Sequence, residues 1–337
     1  MGRGRGDRVA GGHPPRGGRA HRRGHRQRPR RGGAPDPAHG VRAAVVAAGL
    51  LRPPGSCGYP ICAAGADGSA GGGAVMGFDA ASRILVPVPG SVAGPASRPT
   101  IVVFPHAGGS PRQYARWGRI AGPQVRVLGV TYPGRDYRLG DAHPETMRDL
   151  AAEIAAVLGV ASFPIVLAGH SLGAVLAYET LLAWQRAGGG GGAVLVVSGQ
   201  VSPDRAGGGA MHVGADSGIV EELSRNDPDT ARALADPELA ALYLPAIRED
   251  YHLIETYIPP PWANAATQST IIIVKRCADK ELTAASATGW RRLSPDVLGP
   301  VIVPGDHMHH IHRPELAQMC CGGVLRTAAA RSHQRKE

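Results

Sequence analysis

The stretch 164–174, PIVLAGHSLGA, constrains the fold more than any other part of the chain. An apolar run leads into Gly-His-Ser-Leu-Gly, and a helical pattern without Pro or Gly follows over 174–187. G-x-S-x-G between a strand and a helix is typical of a sharp turn that exposes its serine. Side chains in place of the two glycines would collide with the neighbouring element. We therefore predict a nucleophile at Ser171; the alternative is a glycine turn with an incidental serine.

Short apolar segments alternate with helical patterns from Arg83 onwards. Strands are predicted at 84–88, 100–104, 125–132, 165–168, 193–198, 270–274 and 301–303, and helices at 113–120, 144–158 and 174–187. Buried strands that alternate with helices of this length form βαβ units and a parallel sheet. The predicted fold class is therefore α/β, with a mostly parallel sheet flanked by helices.

The segment 201–266 breaks this alternation because it contains helical patterns but no strand. Three helices are predicted there, over 219–225, 228–235 and 237–257, and the prolines at 259–261 end the insertion. Helices inserted between two strands of a parallel sheet are expected over the edge at which those strands end. We therefore predict a mobile helical lid above the site.

The basic charge of the chain is confined to its N-terminal part. The formal net charge is +10; residues 1–75 hold 13 Arg and three acidic residues, whereas residues 76–337 hold 24 basic and 24 acidic residues. The first segment has too little apolar content for a core, and we expect a disordered tail, with Met76 as a candidate translation start. A nucleic-acid-binding tail is the alternative, but 1–58 has no aromatic residue for base stacking. We expect one domain, 76–337, and no nucleic-acid partner.

Membrane and export signals are weak in this sequence. It has no run of 18 apolar residues, and the short apolar run 43–51 follows an arginine-rich segment too long for a signal peptide. The five cysteines form no C-x-x-C pair or zinc spacing, and adjacent Cys320 and Cys321 suit reduced thiols in a helix. We expect a cytoplasmic monomer that does not bind membranes.

A serine nucleophile requires a base and an orienting acid. In α/β-hydrolases these follow the serine in the order Asp, His, each in a loop after a strand. Asp279 follows the predicted strand 270–274 and is the candidate acid, with Glu281 as its rival and a helix-start carboxylate as the structural alternative. His307 follows the predicted strand 301–303 on a Gly-containing loop and is the candidate base.

Four histidines and an aspartate between 306 and 312 raise the question of a metal site. Ligands at spacings of one to three residues rarely converge on one ion without a second cluster, and the sequence shows none. We therefore predict no metal. His309, His310 and His312 are expected on the surface or at a helix start.

An oxyanion hole requires backbone N–H donors beside the nucleophile. Leu172 directly follows Ser171, and a second donor is expected from the loop after the strand 100–104, where Phe-Pro-His-Ala-Gly-Gly stands. The two glycines let this backbone turn its N–H groups inwards, and we assign the second donor to Ala107. His106 could be catalytic itself, but its place before Ser171 favours support of the loop.

Assembled in this order, the motifs resemble those of the type II thioesterases. These are discrete α/β-hydrolases that accompany modular polyketide and nonribosomal peptide synthases. The matching stretches run from about Arg83 to the C-terminus: FPHAGG at 104–109, YPGR at 132–135, GHSLGA at 169–174, the insertion stretch 234–257, Trp290, and PGDH at 304–307. FPHAGG together with YPGR is fairly specific to this family.

The resemblance implies hydrolysis of acyl or aminoacyl thioesters from the phosphopantetheine arm of carrier proteins. It implies the triad Ser171, Asp279 and His307, without a metal or organic cofactor. The pantetheine would pass between the lid and the loops of His106 and Arg135, which we assign to substrate binding. Arg135 and Arg138 could contact phosphate or an acidic carrier protein. For Arg135, a structural role in tying loops together is the alternative.

Two departures from the family pattern concern the site itself. The family usually has a Gly-Asp-rich loop before the acid, where this chain has Arg-Cys-Ala at 276–278, and aromatic residues after the histidine, where Met308 and His309 stand. Two other classes of function stay open. One is a serine esterase or peptidase acting on free small molecules, and the other is a non-catalytic protein that binds carrier proteins.

Overall fold

A computed structural model describes residues 83–95, 97–159, 164–261, 265–277, 282–283 and 288–334 of the chain. The predicted tail 1–75, the candidate acid Asp279 and its rival Glu281 lie outside these residues. The strands are β1 (Leu85–Pro87), β2 (Thr100–Phe104), β3 (Arg126–Val130), β4 (Ile165–His170), β5 (Val194–Ser198), β6 (Thr270–Arg276) and β7 (Val297–Val303). The α-helices are α1 (Ala115–Ala121), α2 (Met147–Leu158), α3 (Leu172–Arg186), α4 (Asp216–Asn226), α5 (Pro228–Ala233), α6 (Pro237–Glu255), α7 (His309–His312) and α8 (Glu315–Gln334).

The seven strands form one sheet in the order β1-β3-β2-β4-β5-β6-β7. The edge strand β1 pairs antiparallel with β3, and every other pair is parallel. All five residues of β2 and all six of β4 are buried, as expected for central strands covered on both faces. This arrangement confirms the predicted α/β class and brings the C-terminal ends of the parallel strands to one edge.

Two hydrophobic cores lie on opposite faces of the sheet. Val102 and Phe104 of β2 point into the core shared with α2 and α3, whereas Ile101 and Val103 point into the core shared with α1 and α8. This division follows from the two-residue period of a strand. Fully burying one such side chain stabilises the fold by roughly 1.5–3 kcal/mol.

Local capping explains where several helices begin. The helix predicted at 144–158 starts at Met147, because Thr146 and Asp149 form a capping box ahead of it. The helix predicted at 113–120 is divided into a 3₁₀ turn, Pro111–Tyr114, and α1. Ser110 and Gln113 form a capping box around that turn, with Pro at its first position.

The last strand is longer than its run of apolar residues predicted. The prediction covered 301–303, whereas β7 spans Val297–Val303 and pairs with β6 through a register irregularity between Ile272 and Val274. Gly299 and Pro300 interrupt the apolar pattern of β7 and hid its first half. Its C-terminal end, which leads to the candidate base, is where the sequence placed it.

The insertion between β5 and β6 is helical, as predicted. It holds α4, α5 and α6, which we call the lid. Pro228 and Pro237 occupy first-turn positions, and the side chains of Asp227 and Asp236 cap α5 and α6. The lid has a small apolar core of its own, formed by Ile219, Leu223, Leu234, Leu244 and Ile247.

Within the described ranges, none of the helices combines the length and the apolar character that a membrane crossing requires.

Candidate active site

Ser171 is the single residue between β4 and α3, at φ 53° and ψ −127°. The prediction allowed a five-residue turn, but β4 runs to His170 and α3 begins at Leu172. A positive φ is rare for a residue with a Cβ atom and marks strained backbone held by its surroundings. The N–H of Ser171 donates to the carbonyl of Ser198 at 2.9 Å, so the turn is anchored to the neighbouring strand β5.

Two glycines make this tight turn possible. A Cβ atom on Gly169 would overlap the carbonyl of Gly173, and one on Gly173 would overlap the carbonyls of Phe104 and Pro105. The predicted steric reason for the motif is therefore confirmed. The start of α3 packs directly against the end of β2, which carries the FPHAGG loop.

The two predicted oxyanion donors lie on elements that meet at this contact. Leu172 is the first residue of α3, so its N–H has no acceptor within the helix. In the FPHAGG loop, Gly108 N–H donates to Asp250 Oδ2 at 2.7 Å and Gly109 N–H donates to His106 O at 2.9 Å. No described residue accepts a hydrogen bond from the N–H of Ala107.

The candidate base His307 lies four residues beyond β7, at the same sheet edge as Ser171. Its half-buried ring is 4.7 Å, centroid to centroid, from the ring of His170, which directly precedes the serine. The ends of β6 and β7 are joined, because Cys277 N–H donates to the carbonyl of Val303 at 2.9 Å. The candidate acid Asp279 follows Cys277 outside the described residues, so its role stays a prediction.

The prediction for the next two histidines was wrong in part. His309 starts the short helix α7, as one alternative expected, but His309 and His310 are 2% and 1% exposed and do not lie on the surface. His312 is exposed. The inward face of α7 packs against α1, where Trp117 Nε1–H donates to the carbonyl of His310 at 2.6 Å. Burial of this turn places the two imidazoles behind Ser171.

The ring of His170 lies next to the rings of His307, His309 and His310. Its ring stacks on that of His310 at a centroid distance of 3.8 Å and an angle of 15°. Burial lowers the pKa of His170 and of His310 well below the usual histidine range, and the neighbouring histidines lower it further. The backbone of His307 acts to raise the pKa of His310, but this is the smallest of the contributions. Both rings are therefore neutral at neutral pH.

His106 lies in a buried contact with the lid. Its Nε2 is 3.3 Å from Asp227 Oδ2, and both residues are 4% exposed. Burial acts to raise the pKa of Asp227, but hydrogen bonds from His106 and Thr230 outweigh it and lower the pKa to about 2. The contact joins the FPHAGG loop to the start of α5, which agrees with the loop-support alternative for His106.

Arg135 is likewise buried against the lid. Its guanidinium forms an ion pair with Asp250 of α6 at 2.7 Å and donates to the carbonyls of Gly109 and Ala246. Side chains of Arg135 and Asp250 are 4% and 2% exposed. The geometry therefore favours the alternative in which Arg135 ties loops together, since contact with a substrate would require this pair to open.

Arg138 is also enclosed by protein contacts. It is 3% exposed and pairs with Asp141 and Glu153 at 2.8 and 2.7 Å. A direct contact of this guanidinium with a carrier protein would require these pairs to rearrange.

Sequence reasoning did not single out the lid carboxylates Asp227 and Asp250. The available signal was indirect, because a buried arginine or histidine in a loop requires an acceptor, and the insertion is the stretch rich in acids. Nothing in the spacing indicated which acid would pair with which base.

Comparison with known proteins shows the family to which this chain belongs. The thioesterase domain family matches residues 99–322. A probable cadicidin biosynthesis thioesterase of Streptomyces griseus is 36% identical over 195 residues, 57% of this chain and 52% of that protein, so the chain spans about half of this relative's length. Thioesterase PikA5 of Streptomyces venezuelae is 32% identical over 59% of this chain and 70% of its own.

Among solved structures, the type II thioesterase BorB from the borrelidin biosynthetic cluster is 27% identical, with a TM-score of 0.61. The match covers 72% of this chain and 97% of BorB. The resemblance inferred from the motifs is thereby confirmed, and the fold is that of an α/β-hydrolase. The chain belongs to the thioesterase domain family, in which it is similar to a type II thioesterase.

Proposed function

We propose that this protein hydrolyses acyl or aminoacyl thioesters from the phosphopantetheine arm of carrier proteins in polyketide or nonribosomal peptide synthesis. The observation that carries the proposal is the strained backbone of Ser171 between β4 and α3. His307 at the same sheet edge and Leu172 at the start of a helix support an acyl-transfer site at this turn. The relatives named above are thioesterases, two of them described as biosynthetic, and they support the substrate class.

The reaction proceeds through an acyl-enzyme. Ser171 Oγ attacks the thioester carbonyl carbon while His307 takes the hydroxyl proton. The tetrahedral intermediate collapses, the C–S bond breaks, and the pantetheine thiol leaves with a proton from His307. Water, activated by His307, then attacks the acyl-serine and releases the carboxylic acid. Asp279 is assigned to orient His307.

The oxyanion of both tetrahedral intermediates accepts hydrogen bonds from the N–H groups of Ala107 and Leu172. Loss of one such donor typically costs about 3–4 kcal/mol of transition-state stabilisation. A thiolate is a good leaving group, so the proposed reaction requires neither a metal nor an organic cofactor.

The proposed partners are acyl or peptidyl carrier domains, and the protein is proposed to act as a cytoplasmic monomer. From the buried contacts of His106 with Asp227 and of Arg135 with Asp250, we assign those two residues a role beside the path proposed for the pantetheine. They hold the lid and the FPHAGG loop in the arrangement through which the pantetheine passes.

The test compares one acyl group on a carrier protein, on free pantetheine and in a simple ester. The proposal expects kcat/KM to be highest for the carrier-bound thioester and Ser171→Ala to abolish turnover of all three. A higher kcat/KM for the simple ester would instead favour the small-molecule esterase. Failure of a covalent serine probe to label Ser171, with no turnover, would favour the non-catalytic carrier-binding protein.

A further inference from the structure

Three histidines that the proposed mechanism does not use lie together behind the nucleophile. His170, His309 and His310, which we call the histidine cluster, are buried, and one ring nitrogen of each lies within 4.8 Å of the others. His170 comes from the end of β4, whereas the other two come from α7. The fold thus supplies the second source of ligands that the sequence alone did not show.

Four nitrogen atoms of this cluster make no hydrogen bond of normal geometry. Both ring nitrogens of His170 and both of His310 are buried in this way among the described residues, and only the backbone of His307 lies near enough to His310 to act weakly on its pKa. A buried polar group left unpaired typically costs about 1–3 kcal/mol. Folded proteins satisfy such groups with protein atoms, ordered water or a bound ion. Two adjacent imidazoles with this deficiency therefore point to a ligand.

His309 is held in the orientation of a metal ligand. Its Nδ1 is 3.1 Å from the carbonyl of Asp306, which can only accept, so Nδ1 carries the proton. Its Nε2 then carries the electron pair of the ring, which accepts from Ser198 Oγ–H at 3.0 Å, so metal binding requires this hydroxyl to turn away. A backbone carbonyl that fixes one ring nitrogen and directs the other is the usual second-shell arrangement of metal-bound histidine.

We propose that the histidine cluster binds one divalent transition-metal ion of the zinc class, with His170, His309 and His310 as ligands. Neutral imidazole suits zinc, copper and nickel, and three protein ligands leave one position of a tetrahedron for water. The ion links the strand that precedes Ser171 to the helix that follows His307. It therefore stabilises the arrangement of nucleophile and base from behind.

Binding requires a rearrangement of the cluster. At tetrahedral angles, zinc–nitrogen bonds of about 2.0–2.1 Å hold two ligand atoms about 3.3–3.4 Å apart, so spacings of up to 4.8 Å must shorten. In the stacked pair, the ring planes of His170 and His310 are nearly parallel, so their electron pairs do not converge. Rotation of the His310 ring about its Cβ–Cγ bond, a broad torsion, brings its nitrogen towards the others.

The experiment measures metal binding directly, so it does not depend on the proposed hydrolysis. The full chain, without an added histidine tag, is stripped with a chelator and titrated with zinc chloride by calorimetry. His310→Phe removes one ligand and keeps a ring for packing, and His312→Phe, on the exposed side of α7, is the matched control. The N-terminal segment holds further histidines, so the difference between variants is the readout.

The proposal expects wild type and His312→Phe to bind one more zinc ion than His310→Phe, with about 100-fold higher affinity at that site. Zinc should raise the melting temperature of the first two proteins and not that of the third, because an ion that binds only the folded state stabilises it. Equal stoichiometry and less than tenfold difference in affinity would overturn the proposal.

A second measurement covers the case in which His310→Phe does not fold, as judged by circular dichroism. Cobalt(II) replaces zinc, and its visible absorption reports tetrahedral nitrogen ligation in the wild type. His309→Phe should lose that absorption. A wild-type spectrum identical to that of aqueous cobalt(II), or one unchanged in His309→Phe, would refute the site.

Discussion

The turn around Ser171 and the lid meet at the same sheet edge, but different interactions hold them. The turn is fixed by direct backbone packing, in which Gly169 and Gly173 leave no room for a side chain. The lid is fixed to the loops of that edge by buried polar contacts, a hydrogen bond between Asp227 and His106 and an ion pair between Asp250 and Arg135. Its own apolar core is small beside the two cores of the sheet.

Because of this difference, the turn is rigid, whereas the position of the lid can change. Close packing of backbone does not depend on pH or on the charge of a partner side chain. It therefore suits Ser171, whose backbone is held in a strained conformation. A buried ion pair holds strongly only while both partners are present and charged. The lid can therefore be released by changes that leave the turn intact.

The largest effect is expected from removal of the nucleophile. Ser171→Ala should lower kcat by several orders of magnitude, because the triad acts as one unit, while the free energy of unfolding changes little. Turnover by hydrolysis of a carrier-bound thioester and unfolding by urea are the two measurements. His307→Ala should lower kcat to a similar extent, and a double variant should lose little more than either single one. A residual kcat within tenfold of wild type would remove Ser171 from the mechanism.

The next effect tests the backbone packing of the turn. Gly173→Ala should destabilise the fold by about 4 kcal/mol or more, because the new Cβ would overlap two backbone carbonyls that cannot move independently. Gly140→Ala is the matched control, since a Cβ there meets nothing within 4 Å. Urea unfolding of both variants decides the matter. Similar midpoints for the two would show that the turn tolerates a side chain and that its packing is looser than described.

A smaller and more local effect is expected in the lid. Asp250→Asn leaves the charge of Arg135 buried without a counter-charge and should cost about 3 kcal/mol. Hydrogen exchange should quicken in α6 and stay slow in β4, because the loss is confined to the lid contact. The exposed Asp229→Asn, whose pair with Arg232 is on the surface, is the control and should change stability by less than about 1 kcal/mol. Equal acceleration in β4 would show that lid and sheet open as one unit.

The smallest effect depends on pH. The pKa of Asp227 is lowered to about 2 in the folded protein, so its ionised form contributes stability above the usual pKa near 3.8 and loses it as the pH falls towards 2. The contribution is about 2 kcal/mol at neutral pH. The difference in unfolding free energy between wild type and Asp227→Asn should shrink as the pH falls below about 4. A difference that stays constant down to the lowest pH at which the protein folds would contradict this assignment.

Several features of this protein were determined by the sequence alone. The βαβ order, the position of Ser171, the FPHAGG loop and the helical insertion each follow from local patterns of apolar residues, glycine and proline. Each of these depends on contacts between residues close in the chain or on a two-residue or 3.6-residue period, which the sequence displays directly. The same holds for His307, because the loop after a buried strand marks its place.

Only the tertiary structure decided what surrounds that site. His309 and His310 look exposed in a run of histidines, yet the packing of α7 on α1 buries them against His170, which is more than 130 residues earlier in the chain. Arg135 and His106 look like ligands for a substrate, yet lid carboxylates occupy them. Such pairings depend on which elements meet in space, and the free energy of a buried charge or imidazole depends on every neighbour that excludes water from it. No local pattern encodes that information, so the lid contacts and the histidine cluster become visible only once the chain is folded.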